Sequence, residues 1–69
     1  MDLNPKELQV VKFIVDGLSY KMIASNMGIT TDGVRYYIRK IYKKLQVNSK
    51  TEVIKRYRDG FTNFIDIKT

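Results

Sequence analysis

The sequence predicts an all-α domain, a four-helix bundle. Three observations carry that expectation. Apolar residues recur at spacings of three and four in four segments, the period of an amphipathic helix. Each segment opens on a residue that can cap a helix N-terminus: Asn4, Ser19, Thr30 and Ser49. Glycines at 17, 28 and 60 mark three places where a helix stops. The chain has 69 residues, a net charge of +6 and neither cysteine, histidine nor tryptophan. One domain is the most that this length holds. A disulfide framework, a Cys/His metal site and a histidine-based triad are all excluded. A chain this small hides only roughly 60% of the surface its unfolded form exposes, which disfavours a deep substrate pocket. The seven acidic residues stand singly, with no catalytic spacing. We therefore expect a basic binding module, not an enzyme, with no catalytic residues, no cofactor and no metal.

Helix 1 is predicted from about Pro5 to Asp16. Asn4 caps it, Pro5 suits its first position, and Glu7 meets the positive end of the helix dipole. Val10, Val11 and Ile14 share one face. Helix 2 is predicted from about Ser19 or Tyr20 to Met27, with Ser19 as its cap and Ile23, Ala24 and Met27 inward. Gly28 supplies the turn, Ile29 plugs the core, and Thr30 caps the next helix. Helix 3 is predicted over 31–45. Val34, Ile38, Ile41 and Leu45 form a narrow apolar stripe, within about 60° of arc at 100° per residue. On the same count Arg35, Arg39, Asp32, Lys43, Tyr36 and Lys40 fan across the opposite side. Helix 4 is predicted from about Lys50 to Asp59. There Ser49-Lys50-Thr51-Glu52 fits a capping box in which Glu52 reaches back to the cap. Val53, Ile54 and Tyr57 face inward or toward a partner. The domain thus occupies 1–60, followed by an apolar tail at 61–69.

Charge is segregated along the chain. Residues 1–34 carry a net −1, residues 35–58 a net +8, and residues 59–69 a net −1. A cationic segment of this kind is either a footprint for a polyanion or a solvated helix face with extra lysines. Two short helices joined by a tight glycine turn, the second basic outside, make a central helix-turn-helix. A helix fits the roughly 12 Å major groove of B-DNA. Its outer side must offer donors to bases and phosphates, and its inner side must anchor it.

The ordered set Leu3-Asn4-Pro5-Lys6-Glu7, Gly17-Leu18-Ser19, Lys21-Met22-Ile23-Ala24, Gly28-Ile29-Thr30, Val34-Arg35, Ile38, Lys44-Leu45-Gln46-Val47 and Ser49-Lys50-Thr51-Glu52 resembles the LuxR-type (GerE-type) helix-turn-helix domain. The resemblance covers about Leu3 to Arg58. It implies sequence-specific binding of double-stranded DNA by the effector domain of a bacterial transcription regulator, with helix 3 in the major groove. Arg35, Tyr36 and Arg39 then stand in base-facing positions. Lys21, Thr30, Thr31, Tyr37, Lys40 and Lys43 stand where the DNA backbone passes, and Lys44 joins the general cationic field. Family habit also implies a homodimer on DNA through Val53, Ile54 and Tyr57 of helix 4. An N-terminal receiver or sensor domain, absent from this chain, is the further implied partner. The sequence departs from the family pattern at Gly33, where Thr or Ser is usual, and at Tyr37, where His is usual.

Two other readings stay open at this point. One is a domain like region 4 of sigma factors, working within RNA polymerase. The other is a protein-interaction module with a disused DNA face. The start of the sequence has no basic stretch or apolar core of a signal peptide, and Phe13-Ile14-Val15 is too short to span a bilayer. The expected location is the cytoplasm, as a piece of a longer regulator or a stand-alone one.

Overall fold

The computed structural model describes residues 3–60. Four helices occur in order: α1 Pro5–Val15, α2 Tyr20–Met27, α3 Thr31–Leu45 and α4 Lys50–Arg58. The expected ends of helices 1 and 4 shorten by one residue, because Asp16 and Asp59 cap them. The tail at 61–69 lies outside the described residues.

The core is aliphatic. Val34, Ile38, Ile41 and Leu45 of α3 are buried, as the stripe requires. They meet Val10, Val11 and Ile14 of α1 and Ile23 and Ala24 of α2. Val47 and Val53 complete the cluster. Helix α3 packs on both α2 and α1, and α4 packs on α1 and adds Val53 to the same cluster. Burying each Ile or Val stabilises the fold by about 1.5–3 kcal/mol relative to exposure. The main scaffold that holds α3 is thus α1 and α2.

The predicted caps all form. Ser19, Thr30 and Ser49 accept from the N–H groups of Met22, Gly33 and Glu52 at 3.2, 3.1 and 3.3 Å. The complete capping box is at α1, not α4. Asn4 Oδ1 accepts from the Glu7 N–H at 2.8 Å, and Glu7 Oε1 accepts from the Asn4 N–H at 3.0 Å. At α4 the Ser49 half forms, and the Glu52 side chain is not the reciprocal acceptor. This corrects the sequence expectation. Glu52 is exposed, and water competes for its carboxylate; Glu7 is fully buried and keeps its partners.

Three helices end the same way. The N–H of Leu18, Ile29 and Val47 donates to the carbonyl five residues back, on Phe13, Ala24 and Tyr42, at 3.0–3.1 Å. The preceding residues Gly17, Gly28 and Gln46 take the left-handed conformation, with φ of 85°, 69° and 58°. These are Schellman turns, in which the residue after the turn folds back on the helix. Leu18, Ile29 and Val47 accordingly pack against the core. Gln46 is the single non-glycine among the described residues with positive φ.

Glu7 also ties α1 to α3. Its Oε1 accepts a hydrogen bond from Lys44 Nζ at 2.8 Å, and its side chain is fully buried. Its second oxygen, Oε2, is buried without a hydrogen-bond partner. Burial pushes the carboxyl up. The Lys44 hydrogen bond, the Asn4 N–H and the charges of Lys44 and Lys40 outweigh burial and hold it below the usual glutamate range. Lys44 therefore serves as a structural partner for Glu7.

Candidate nucleic-acid interface

The two halves of α3 do different jobs, because its 15 residues alternate between the core and the solvent at helical period. With the aliphatic stripe locked inward, Thr31, Asp32, Arg35, Tyr36, Arg39 and Lys43 are left exposed on the outer side. Arg35, Tyr36 and Arg39, the expected base-facing set, share that side. Tyr36 is 57% exposed, a large ring left at the surface of the helix.

The outer side has internal order. Lys40 Nζ lies 5.2 Å from the centroid of the Tyr36 ring, a cation–π geometry. The rings of Tyr36 and Tyr37 meet edge to face at 6.1 Å. Tyr37 is half-buried and packs on the core, so Tyr36 stands on a fixed neighbour. Across the helix Arg35 pairs with Asp32 at 3.5 Å. Both side chains are well exposed, and such a pair is worth at most about 1 kcal/mol. It steers the guanidinium without immobilising it.

The expected backbone contacts cluster at helix starts and along one edge. Lys21 is exposed in the first turn of α2. Thr30 and Thr31 open α3, where the Thr30 oxygen accepts from Gly33 N–H and the Thr30 hydroxyl proton remains free to donate outward. Helix starts carry unpaired N–H groups and the positive end of the dipole, which suits phosphate. Lys40 and Lys43 extend the cationic edge toward the C-terminus of α3.

Sequence reasoning missed a second cluster. Tyr20, the first residue of α2, stands beside Tyr42 on the flank of α3, where burial first and then the neighbouring Tyr20 hydroxyl push the Tyr42 hydroxyl above its ordinary range. Lys50, the first residue of α4, places its Nζ 5.1 Å from the Tyr20 ring centroid. Tyr20, Arg35, Ile38, Arg39 and Tyr42 line an open cleft of about 260 Å³ between α2 and α3. The signal was in the period. With Val34 at 0°, Tyr42 falls at about 80°, between the dry stripe and the arginines.

The proposed dimer residues divide. Val53 is fully buried in the chain's own core against α1, so it offers no surface to a second copy. This corrects its assignment to a dimer face. Ile54 and Tyr57 are half-buried. Tyr57 lines a groove with Leu8 and Phe13 of α1, while Ile54 lies in a separate hollow with Thr51 and Lys55.

A helix-turn-helix whose second helix is anchored by an aliphatic face and exposes Arg, Lys and Tyr defines a DNA-binding domain. The family described as "Bacterial regulatory proteins, luxR family" (GerE) matches residues 1–57, and the chain belongs to that family. Similar proteins include the probable transcriptional regulator ycf29 of Guillardia theta, 41% identical over 78% of this chain and 26% of that protein. The nitrate/nitrite response regulator NarL of Escherichia coli K12 is 36% identical over 72% of this chain and 23% of its own length. The transcriptional regulatory protein DesR of Bacillus subtilis is 35% identical over 83% of this chain and 29% of its own. The chain thus spans about a quarter of the length of these relatives. No solved structure matches it significantly. Among the described residues, no helix is long and apolar enough to cross a membrane. DNA-binding regulation is not an enzyme class.

Proposed function

We propose that the chain reads a specific operator in double-stranded DNA, with α3 in the major groove and Arg35, Tyr36 and Arg39 against base edges. The observation that carries this is the division of α3. Its inner stripe is buried and its outer side exposes those three residues together with Lys43. Arg35 and Arg39 suit bidentate donation to guanine O6 and N7, each worth about 1–3 kcal/mol of discrimination. Tyr36, steadied by Lys40 and Tyr37, suits contact with a thymine methyl. Lys21, Thr30, Thr31, Tyr37, Lys40 and Lys43 hold the backbone and set the register. The domain works without catalysis or cofactor, in the cytoplasm, as the effector of a transcription regulator. A receiver or sensor domain on its N-terminal side is its proposed regulatory partner. The family match leaves the sigma-factor reading without support of its own, and a disused DNA face does not explain the exposed arginines.

Selection of bound sequences from a random duplex pool tests this reading. Enrichment of one half-site in inverted repeat is the expected result, and no enrichment refutes sequence-specific binding. Arg39→Ala should then weaken binding to the selected site by about 1–3 kcal/mol more than binding to random duplex.

Dimerisation on DNA is proposed through the exposed parts of Ile54 and Tyr57. Ile54→Lys should abolish the two-to-one complex on an inverted repeat, measured by sedimentation, while leaving one-to-one binding to a half-site. Retention of the two-to-one complex excludes this face.

A further inference from the structure

The outer face of α3 leaves an apolar surface elsewhere on the bundle without a role. Pro5, Leu8 and Phe13 of α1 and Tyr57 of α4 line an open groove of about 790 Å³, to which Lys12 and Asp16 add one charge of each sign. No residue of α3 lines it. Leu8 is 38% exposed, and Phe13 and Tyr57 are half-buried, so three large side chains keep surface in water there. Apolar surface gathered in this way marks a contact site.

Helix α4 ends beside this groove. Tyr57 lines it, and Gly60 follows three residues later with φ of 75°. The Gly60 N–H donates to the Tyr57 carbonyl at 3.0 Å. The N–H groups of Gly17, Gly28 and Gln46 likewise donate to the carbonyl three residues back, at 3.0–3.3 Å. In those three turns the next residue is apolar and folds back on the helix it follows: Leu18, Ile29 and Val47. After Gly60 the next residue is Phe61, and Phe64, Ile65 and Ile67 come soon after it. The family match stops at residue 57, so this segment lies beyond what the family supplies.

We propose that residues 61–69 occupy the groove of their own chain, with Phe61, Phe64, Ile65 and Ile67 covering Leu8, Phe13 and Tyr57. Nine residues reach at most about 30 Å. The 11 residues of α1 measure about 16 Å, so the segment can cover the groove from its anchor at Gly60. Asp66 and Lys68 give it one charge of each sign, as Lys12 and Asp16 give the groove. A segment tethered beside the groove meets it at high effective concentration and loses little freedom on docking, whereas a separate molecule must offset that loss with a larger contact. Docking leaves α3 exposed and does not depend on what α3 binds. It also leaves Ile54, in its own hollow, to a second copy.

The full 69-residue chain lacks tryptophan, so Phe64→Trp and Ile67→Trp, made separately, each give a single reporter. At concentrations where sedimentation shows a monomer, emission should lie to the blue of free tryptophan, with acrylamide quenching several-fold weaker. Leu8→Glu added to either reporter should move the emission to the red and restore quenching. Phe61→Ser with Ile65→Ser should do the same from the other side of the contact. Far-UV circular dichroism should keep its helical signal throughout; if Leu8→Glu loses it, the tail pair alone decides. Red emission from both reporter chains refutes docking. Blue emission that a folded Leu8→Glu chain or the tail pair leaves unchanged puts the tail elsewhere and also refutes it. Blue emission confined to the dimer assigns the groove to a second copy and overturns docking within one chain.

Discussion

Gly33 sits in the first turn of α3 with ordinary helical φ, so nothing in its backbone requires glycine. A methyl group added there would meet the tip of the Ile29 side chain at 3.4 Å and the Thr30 hydroxyl at 3.5 Å, ordinary contact distances. Gly33→Ala should therefore stabilise the domain by about 0.5–1 kcal/mol through helix propensity. A thermal melt reads this as a rise of several degrees, and a fall would show that Ile29 cannot yield. Gln46 is the opposite case. Its φ of 58° carries a side chain into a region that glycine enters freely. Gln46→Gly should raise stability by a few tenths to about 1 kcal/mol, measured by urea unfolding. Lys44→Met should leave the buried Glu7 carboxylate without its hydrogen-bonded cationic partner and cost about 1–3 kcal/mol, since the Lys44 side chain is a third exposed and the Asn4 N–H remains. Adding Glu7→Gln to Lys44→Met should recover part of that loss, because the neutral amide still accepts from the Asn4 N–H. No recovery would mean that Lys44 acts through packing alone.

At the scale of elements, the fold was legible because each helix carries its own punctuation. The stripe of α3 and the caps Asn4, Ser19, Thr30 and Ser49 are local, and local patterns survive tertiary packing. Three things were not read. The Asn4-Pro5-Lys6-Glu7 spacing is a capping box as good as that at Ser49, and Glu7 lies three and four residues before Val10 and Val11, on the inward face. A charge there implies a partner from elsewhere, and no local rule names Lys44. Likewise Val53 was legible as apolar and helical, but only the packing of α4 on α1 decides that it faces this chain and not a second copy. The outer face of α3 was read from the period alone, since whatever the core does not take is exposed. The Tyr20–Lys50 contact joins residues far apart in sequence, and period gives no register between helices.

For the whole molecule, the Glu7 carboxyl is held below its unfolded value, so it contributes stability that is present above about pH 4.3, the ordinary glutamate value. That contribution is lost as pH falls through the lower folded value. Tyr42 works at the other end. Its folded value is raised, so its contribution is present below the unfolded value near 10 and lost as pH rises through the folded one. Melting temperature against pH should show a plateau between these limits, with an acid shoulder that Glu7→Gln flattens. An acid shoulder unchanged in that variant would assign it to other carboxylates.

The Schellman turns at Gly17, Gly28 and Gln46 bear on how quickly the domain forms. Each closes a loop of six residues by its own hydrogen bond and drops Leu18, Ile29 or Val47 onto the helix just completed. Short loops cost little closure entropy. A helical chain built from such local contacts folds in roughly microseconds to milliseconds. The same turns fix where each helix leaves its predecessor, so α3 acquires its outward arginines as soon as it docks. A temperature-jump experiment should find single-exponential relaxation, with refolding slowed by Gly28→Ala in proportion to how far that turn is already formed in the transition state.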